Sequence, residues 1–334
     1  MELSYVLPLR CEAGHDGHDD LRSYVEDLAV SSEVIVVDGS PPPLFEEHAR
    51  TWPRGVRHLR PDRELVFANG KVEGVTTGVR AASHESVVIA DDDVRYRPEQ
   101  LRAIEARLRT ADLVIPQNVF EPATAWHARW DTARTLLNRT TGHDYPGTLA
   151  VRRSTFRRIG GYDGNVLFEN LELIRTVRAA GGSVSVALDL VVPRRPPTTG
   201  AFLRQRVRQA YDELAQPVRL GTHLAILPAV IVLARRRHWA ALAGAAAVSV
   251  ALAECGRRRA HGSTVFSPSA PLFAPAWLLE RAVCVWLAVG SRVVRGGCRY
   301  RGVTLRRAAT PMRVLRRRAA SAQRESGERE SVAA

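Results

Sequence analysis

The chain has 334 residues, of which 25% are charged and 45% are hydrophobic, and these fractions exclude a wholly disordered protein. Its four cysteines are too few and too scattered for a disulfide framework. The net charge of +13 is concentrated at the C-terminus, because residues 291–334 hold twelve Arg and three Glu and so carry nine of the thirteen net positive charges.

The first 116 residues alternate between short apolar runs and amphipathic segments. Strands are predicted at Leu3–Leu9, Val34–Val37, Val56–Leu59, Val87–Ala90 and Asp112–Pro116. Helices are predicted between them at Asp20–Val30, Leu44–Thr51, Gly70–Ala82 and Pro98–Thr110. This alternation is typical of βαβ units and predicts an α/β fold, with a mostly parallel sheet flanked by helices.

The next hundred residues have a less regular pattern. Helices are predicted at Trp126–Asn138 and Leu167–Ala180, and a loop at Thr141–Thr148. Arg194–Thr199 contains two prolines and is predicted to connect to an Arg- and Gln-rich helix over residues 201–216.

Three apolar stretches follow, at Leu220–Ala234, Trp239–Ala253 and Leu272–Val289. The first two contain about 15 residues, or roughly 22 Å of helix, which is less than the ~30 Å hydrocarbon core of a bilayer. If the first stretch crossed a membrane from the cytoplasm, Arg235–Arg237 would lie outside, against the positive-inside rule. A tilted hairpin or interfacial helices on the cytoplasmic face therefore fit better, and a soluble all-α subdomain is the alternative.

The C-terminal residues suggest contact with a membrane surface. Residues 291–320 contain ten Arg and no acidic residue, which predicts binding to anionic lipid headgroups. Aromatic residues are not interleaved with the arginines, so we expect no nucleic-acid partner. We predict three regions: an α/β domain over 1–200, an interfacial or transmembrane helical region over 201–300, and an Arg-rich, partly disordered tail over 301–334. The first residues lack an export signal, which predicts a cell-membrane protein with its active site on the cytoplasmic side.

Asp91, Asp92 and Asp93 directly follow an apolar strand. Three adjacent carboxylates repel each other and need a counter-charge, which a hard divalent cation bridging to a diphosphate would supply. Alternate side chains of a strand face the same side, so Asp91 and Asp93 can act together. An acidic turn that caps the next helix explains the triplet about equally well.

Two further carboxylate features come from the sequence. Asp38 ends the predicted strand at Val34–Val37 and could accept a hydrogen bond from a base or ribose, although such residues are more often turn or N-cap residues. Glu169 and Glu172 share a helix face, where a carboxylate could serve as a general base. Acidic residues that complement the helix dipole in a first turn are the more common explanation.

Five segments in this order resemble family 2 glycosyltransferases of the GT-A fold, over about residues 3–215. They are YVLPLRCEAG, VIVVDGS, NGKVEGVTTGVRAA, VVIADDDVRYRPEQL and the segment GTLAVRRSTFRRIGGYDGNVLFENLELIRTVRAAGG. The C-terminal GCRYRGVTLRRA is similar to the Arg-rich stretch that closes membrane-associated members. The resemblance implies a GT-A sheet followed by an α-helical, membrane-associated C-terminal region.

The resemblance also implies roles for particular residues. Asp91 and Asp93 would bind Mg²⁺ or Mn²⁺, and Lys71, the only lysine, would lie near the donor. Gly147 and Thr148 would form part of the acceptor-side wall. Donor contacts are expected from Pro8, Leu9, Glu12, Asp38, Gly39, Lys71, Asp91 and Asp92.

Two positions depart from the family pattern. The family usually has Glu-Asp, with the Asp as base, where this chain has Glu169-Asn170, so Glu169 becomes the first candidate base and Glu172 the second. Membrane-associated members often have Gln-x-x-Arg-Trp, whereas Gln205 and Arg208 are followed here by Gln209. Gln205 and Arg208 could hold a diphosphate or acceptor chain, or could form a solvated basic helix face.

The sequence therefore predicts a metal-dependent inverting glycosyltransferase. Its donor would be a UDP- or GDP-sugar and its acceptor a hydroxyl of a lipid or polyprenyl-type, lipid-linked molecule. The alternative is a catalytically inactive relative that binds nucleotide sugar or acts as a membrane scaffold. A nucleotidyltransferase ranks last, because it would need a Gly-rich, Arg- or Lys-bearing phosphate loop after the first strand, whereas the loop Arg10–Asp20 has glycines but is acidic.

Overall fold

The computed structural model describes residues 1–12, 18–122, 125–144 and 146–333, so parts of the predicted loops Arg10–Asp20 and Thr141–Thr148 lie outside the described residues. Seven strands form one sheet: β1 (Leu3–Leu9), β2 (Glu33–Asp38), β3 (Val56–Leu59), β4 (Ser86–Ala90), β5 (Leu113–Phe120), β6 (Thr148–Arg152) and β7 (Val184–Arg194). Their order across the sheet is β3-β2-β1-β4-β6-β5-β7.

The sheet is parallel over its first four strands. β1 pairs in parallel with β2 and β4, and β2 pairs in parallel with β3, whereas β6 is antiparallel to both β4 and β5. The central strands are buried on both faces, which is why their sequences are nearly continuous apolar runs. The predicted α/β class with a mostly parallel sheet flanked by helices is confirmed.

Eight helices accompany these strands: α1 (His18–Ala29), α2 (Pro42–Thr51), α3 (Gly70–Ala81), α4 (Pro98–Leu108), α5 (Trp126–Thr141), α6 (Arg153–Arg158), α7 (Glu169–Ala179) and α8 (Thr199–Ala210). Helix α3 lies close against β1, because a Cβ at Gly78 would be 2.3 Å from a methyl group of Val6. Asn69 caps α3, since its side-chain oxygen accepts a hydrogen bond from the backbone of Lys71.

The rest of the chain is largely helical. It contains α9 (Pro217–Arg235), α10 (Trp239–Arg258), α11 (Ala274–Val294), the hairpin β8 (Cys298–Tyr300) and β9 (Val303–Leu305), and α12 (Met312–Ala333). By length and composition, three helical segments could cross a membrane: Pro217–Arg235, Trp239–Thr264 and Ala270–Val294.

The apolar helices are longer than their apolar runs suggested. Helices α9 and α10 have 19 and 20 residues, or roughly 28 to 30 Å at 1.5 Å per residue, which is long enough to cross a membrane. The polar residues at their ends continue the helices, because intrahelical hydrogen bonding does not depend on the polarity of the side chains.

The chain divides into two compact units, each discontinuous in sequence. Unit 1 comprises Met1–Ile115, Pro146–Val186 and Ala309–Ala334, and unit 2 comprises Pro116–Tyr145 and Ala187–Ala308. The division into regions 1–200, 201–300 and 301–334 stays a prediction. Helix α12 lies in the C-terminal region, and its residue Leu315 is buried.

Candidate functional site

Acidic residues gather at the carboxyl edge of the parallel strands in unit 1. Asp38 is the last residue of β2, and Asp91 directly follows β4. Because β1 pairs in parallel with both strands, the two residues lie at the same edge of the sheet. Ligands of open α/β sheets bind at this edge.

The carboxylate of Asp38 is fully buried and held by three donors. Its Oδ2 lies 2.6 Å from Nδ1 of His48 and 3.1 Å from Nε2 of His58, and its Oδ1 accepts the backbone N–H of Ser40 at 2.8 Å. Burial alone would raise the pKa of Asp38, but the hydrogen bonds from His58, Ser40 and His48 outweigh it and hold the pKa well below its usual value. Asp38 is therefore a charged acceptor, already partly engaged by protein donors.

The acidic triplet lies in a turn rather than in the strand. Strand β4 ends at Ala90, and the backbone N–H of Val94 donates to the carbonyl of Asp91 at 3.1 Å. The expected alternation of Asp91 and Asp93 along a strand therefore does not apply. The backbone N–H of Asp91 donates to the carbonyl of Gly147 at 2.9 Å, which fixes the start of this turn.

Lys71 joins two carboxylates from distant parts of the sequence. Its ammonium contacts the carboxylate of Asp91 and lies 2.6 Å from Oε1 of Glu169. Burial alone would lower the pKa of Lys71, but the charges of Asp91 and Glu169 outweigh it, so the pKa lies above its usual value. The three residues form a charged cluster in which one ammonium neutralises part of the acidic edge.

The first turn of α7 contains the predicted base candidates. The amide of Asn69 donates to Oε2 of Glu169 at 3.4 Å, and the amide of Asn170 donates to the carbonyl of Pro146 at 2.9 Å. Glu172 is fully buried, and its Oε2 accepts the backbone N–H of Thr310 at 2.6 Å. Glu169 thus belongs to the charged cluster, whereas Glu172 is enclosed in the protein.

The remaining predicted residues fall in both units. Thr148 is buried, with its hydroxyl 3.0 Å from that of Tyr96, and it follows Gly147 beside the acidic turn. In unit 2, Gln205 and Arg208 lie on α8, where the guanidinium of Arg208 lies 5.3 Å from the ring centroid of Tyr300.

The predicted donor-side residues lie in or beside β1 and β2. Pro8 and Leu9 end β1, and the backbone N–H of Gly39 donates to the carbonyl of Leu9 at 2.8 Å. Glu12 follows β1 and is exposed, as is Asp92 in the acidic turn.

Sequence reasoning missed several partners of these residues. His58 could have been predicted as a partner of Asp38. Its strand, β3, pairs with β2 and places His58 opposite Val36, two residues before Asp38. No local signal identified His48 as a partner of Asp38, or Thr310 as a partner of Glu172 across 138 residues of sequence.

The acidic edge fits part of a divalent-cation site. Within the described ranges, no group of three or more His, Cys, Asp or Glu side chains could hold a metal ion. The oxygens of Asp91 and Asp93 are nevertheless the hard donors that Mg²⁺ and Mn²⁺ prefer, and Mg²⁺ is usually bound by one or two carboxylates with water and phosphate oxygens. The contact between Asp91 and the Lys71 ammonium shows that this carboxylate already interacts with a positive charge.

A sequence model described as glycosyltransferase-like family 2 matches residues 34–212, which is more than half of the chain. The chain therefore belongs to glycosyltransferase-like family 2. The predictions of this family and of a glycosyltransferase are confirmed. A comparison with curated protein sequences gives no match.

Solved structures with a similar fold include two glycosyltransferases. A mannosyltransferase from Pyrobaculum calidifontis, in complex with GDP-Man and Mn²⁺, is 20% identical with a TM-score of 0.47, and the match covers 85% of this chain and 87% of that one. Glucosyl-3-phosphoglycerate synthase from Mycobacterium tuberculosis, with Mn²⁺, UDP and glucosyl-3-phosphoglycerate, is 20% identical with a TM-score of 0.41, covering 61% and 76%. Both of those structures contain Mn²⁺.

Proposed function

We propose that this protein transfers a sugar from a nucleotide-diphosphate donor to a hydroxyl group of a lipid or lipid-linked acceptor, with inversion at the anomeric carbon. The observation that carries the proposal is the Lys71 ammonium, which joins Asp91 and Glu169 at the carboxyl edge of the sheet. This contact brings Asp91, the carboxylate expected beside the diphosphate, and Glu169, the candidate base, into one cluster. A single displacement requires both groups close to the reacting atoms.

The donor would bind along the edge formed by β1, β2 and β4. Asp38 would accept a hydrogen bond from the uracil or guanine base, with His48 and His58 holding its carboxylate charged and oriented. The donor site would also be lined by Pro8, Leu9, Glu12, Gly39, Asp92 and Lys71. Lys71 would place a compact positive charge beside the leaving diphosphate.

Asp91 and Asp93 would hold Mg²⁺ or Mn²⁺. The ion would neutralise negative charge on the diphosphate leaving group. The turn closed between Asp91 and Val94, together with the hydrogen bond from Asp91 to Gly147, positions these two carboxylates.

Glu169 is the proposed general base. Its carboxylate is oriented by Lys71 and Asn69, whereas Asn170 carries an amide that cannot take a proton. Glu172 is buried against Thr310, so it has no open face toward an acceptor. Glu169 would remove the proton from the acceptor hydroxyl as that oxygen attacks the anomeric carbon.

Gly147 and Thr148 would form the acceptor-side wall, and Gln205 and Arg208 would contact a diphosphate or the chain of the acceptor. The apolar helices of unit 2 and the Arg-rich C-terminal residues would bring the protein to the anionic cytoplasmic face of the cell membrane. A lipid-linked acceptor presents its hydroxyl at such a surface, which supports this acceptor class.

A second function is donor binding without transfer. The amide at Asn170, where the family usually has Asp, favours it, and so does the pairing of Glu169 with Lys71, because an ion-paired carboxylate is a weaker base. In this case the protein would bind a nucleotide sugar or act as a membrane scaffold.

The test is nucleoside-diphosphate release and sugar transfer by membrane-fraction protein, using UDP- and GDP-sugars with a lipid extract and with or without Mn²⁺ or Mg²⁺. We expect turnover that depends on the ion, is lost in Asp93→Ala and falls at least about 100-fold in Glu169→Gln, which corresponds to about 3 kcal/mol of barrier. Nuclear magnetic resonance of the product should show the inverted anomer.

Glu172→Gln is the matched control for the base. It lies on the same helix face, and a glutamine oxygen can still accept the N–H of Thr310, so it should retain most of the activity. Equal losses in both variants would contradict the assignment of Glu169. Donor binding without turnover in wild-type protein would support the binding function instead.

A further inference from the structure

Helices α9 and α10 form a hairpin that the rest of unit 2 leaves largely uncovered. Only 6% of the apolar window in Pro217–Arg235 and 17% of that in Trp239–Thr264 is buried. None of the residues 224–248, which include the hairpin tip, is buried. This continuous apolar surface is larger than the isolated apolar side chains that soluble proteins normally expose.

Helix α11 is packed differently, although its length and hydropathy also fit a membrane span. One face is buried, and Trp277 of this face packs in an apolar cluster with Leu136 and Phe266. The apolar side chains of the opposite face are exposed, with Leu279 and Leu287 about half exposed. Helix α11 is thus an amphipathic helix seated on unit 2.

The centre of α11 carries a charged pair that is bonded to other helices of unit 2. Glu280 accepts a hydrogen bond from the indole N–H of Trp130 on α5 at 2.6 Å. Arg281 is almost fully buried, donates to the carbonyl of Gln209 at 2.8 Å and lies 3.3 Å from Asp212. Moving this pair into hydrocarbon would break these bonds and expose charge to lipid, which is strongly unfavourable.

Unit 1 contains segments of the chain from both before and after the three apolar helices, and this limits the number of membrane crossings. Residues that follow the helices return to pack on residues that precede them: Thr310 donates to Glu172 at 2.6 Å and accepts from Arg175 at 3.3 Å, and Arg318 lies 3.5 Å from Asp163. A chain that leaves one folded body and rejoins it must cross a bilayer an even number of times. Three crossings are therefore incompatible with this structure.

We propose that α9 and α10 alone insert into the lipid bilayer, as a helical hairpin, and that α11 stays outside the hydrocarbon core. The exposed Trp239 at the hairpin tip is a residue typical of membrane interfaces. The charged pair of α11 identifies it as the helix that does not cross. This inference does not depend on the proposed transferase chemistry.

Cysteine labelling of the full chain tests this topology. The background is Cys255→Ser, because Cys255 is exposed while the other three cysteines are buried. Single cysteines are added at the exposed positions Val30, Ser263 and Ser321, and a membrane-impermeant maleimide is applied to intact cells and to inverted membrane vesicles. We expect all three positions to be labelled from the same face. Labelling of Ser321→Cys from the face opposite to Val30→Cys would overturn the proposal.

A second measurement asks whether the hairpin is the membrane anchor. In a variant with residues 224–248 replaced by a short Gly-Ser linker, unit 2 retains α11 and its bonds to α5. We expect wild-type protein to stay in membranes after alkaline carbonate extraction and the variant to be released. Retention of the variant would show that α11 inserts, and release of the wild type would show that the hairpin does not; either result overturns the proposal.

Discussion

Glu33 joins several segments at the amino ends of the strands, opposite the candidate site. Its carboxylate accepts hydrogen bonds from the hydroxyl of Ser4, from the backbone N–H and hydroxyl of Ser83, and from the guanidinium of Arg57. Burial alone would raise the pKa of Glu33, but these hydrogen bonds outweigh it and lower the pKa from 4.5 to about 2. Glu33 therefore stabilises the folded state when it is charged.

The size of this contribution follows from the pKa difference. At 1.36 kcal/mol per pKa unit, the shift corresponds to about 3 kcal/mol at neutral pH, or about 2 kcal/mol after allowing for screening by solvent. Because the folded-state pKa is the lower one, the contribution is complete above about pH 5 and disappears as the pH falls toward 2. We expect Glu33→Gln to lower the free energy of unfolding by about 2 kcal/mol at pH 7 and to have little effect near pH 2.

Urea unfolding of detergent-solubilised protein between pH 7 and pH 3, followed by tryptophan fluorescence, measures this difference. Glu46→Gln on the exposed face of α2 is the control for the loss of one negative charge, and it should change stability by less than about 0.5 kcal/mol. If wild type and Glu33→Gln lose stability in parallel as the pH falls, the hydrogen bonds to Glu33 do not control the acid sensitivity of the fold.

Three further changes test the sheet and the charged cluster. Gly78→Ala should cost about 2 kcal/mol in urea unfolding, because its Cβ would meet a methyl group of Val6 at 2.3 Å, and Gly74→Ala, with its nearest side-chain atom at 3.0 Å, should cost less. Lys71→Met should lower stability by about 2 kcal/mol, since two partly buried carboxylates lose their shared ammonium. The same variant should bind the donor more weakly, and an unchanged donor affinity would argue against a donor-side role for Lys71. Asp38→Asn should destabilise the protein more at pH 7 than at pH 3, because the folded-state pKa of Asp38 lies below its unfolded value of 3.8, and equal effects at both pH values would refute this.

Apolar runs were sufficient to predict most of the parallel sheet. Strands β1, β2 and β4 are short, buried and bounded by polar residues, so their positions follow from local sequence. Strands β6 and β7 were not predicted. β7 carries a mixture of buried and exposed side chains without a regular period, and β6 is held by pairing with β4 and β5, which are distant in sequence.

In the candidate site, too, features that depend on nearby sequence were predictable, and contacts between distant parts of the chain were not. The sheet edge was predictable, because Asp38 and Asp91 each follow a recognisable strand. The ion pair of Lys71 with Glu169 spans 98 residues, so only the folded chain reveals it. The burial of Glu172 likewise depends on Thr310, which no pattern near α7 indicates.

The return of the last residues to unit 1 has a consequence for biosynthesis. Thr310 and Arg318 complete hydrogen bonds and ion pairs with residues 172 and 163, yet they are translated after the whole of α9, α10 and α11. Unit 1 therefore cannot reach its final structure until the apolar helices have already been made. The segment proposed to anchor the protein is thus synthesised in full before the residues that complete unit 1.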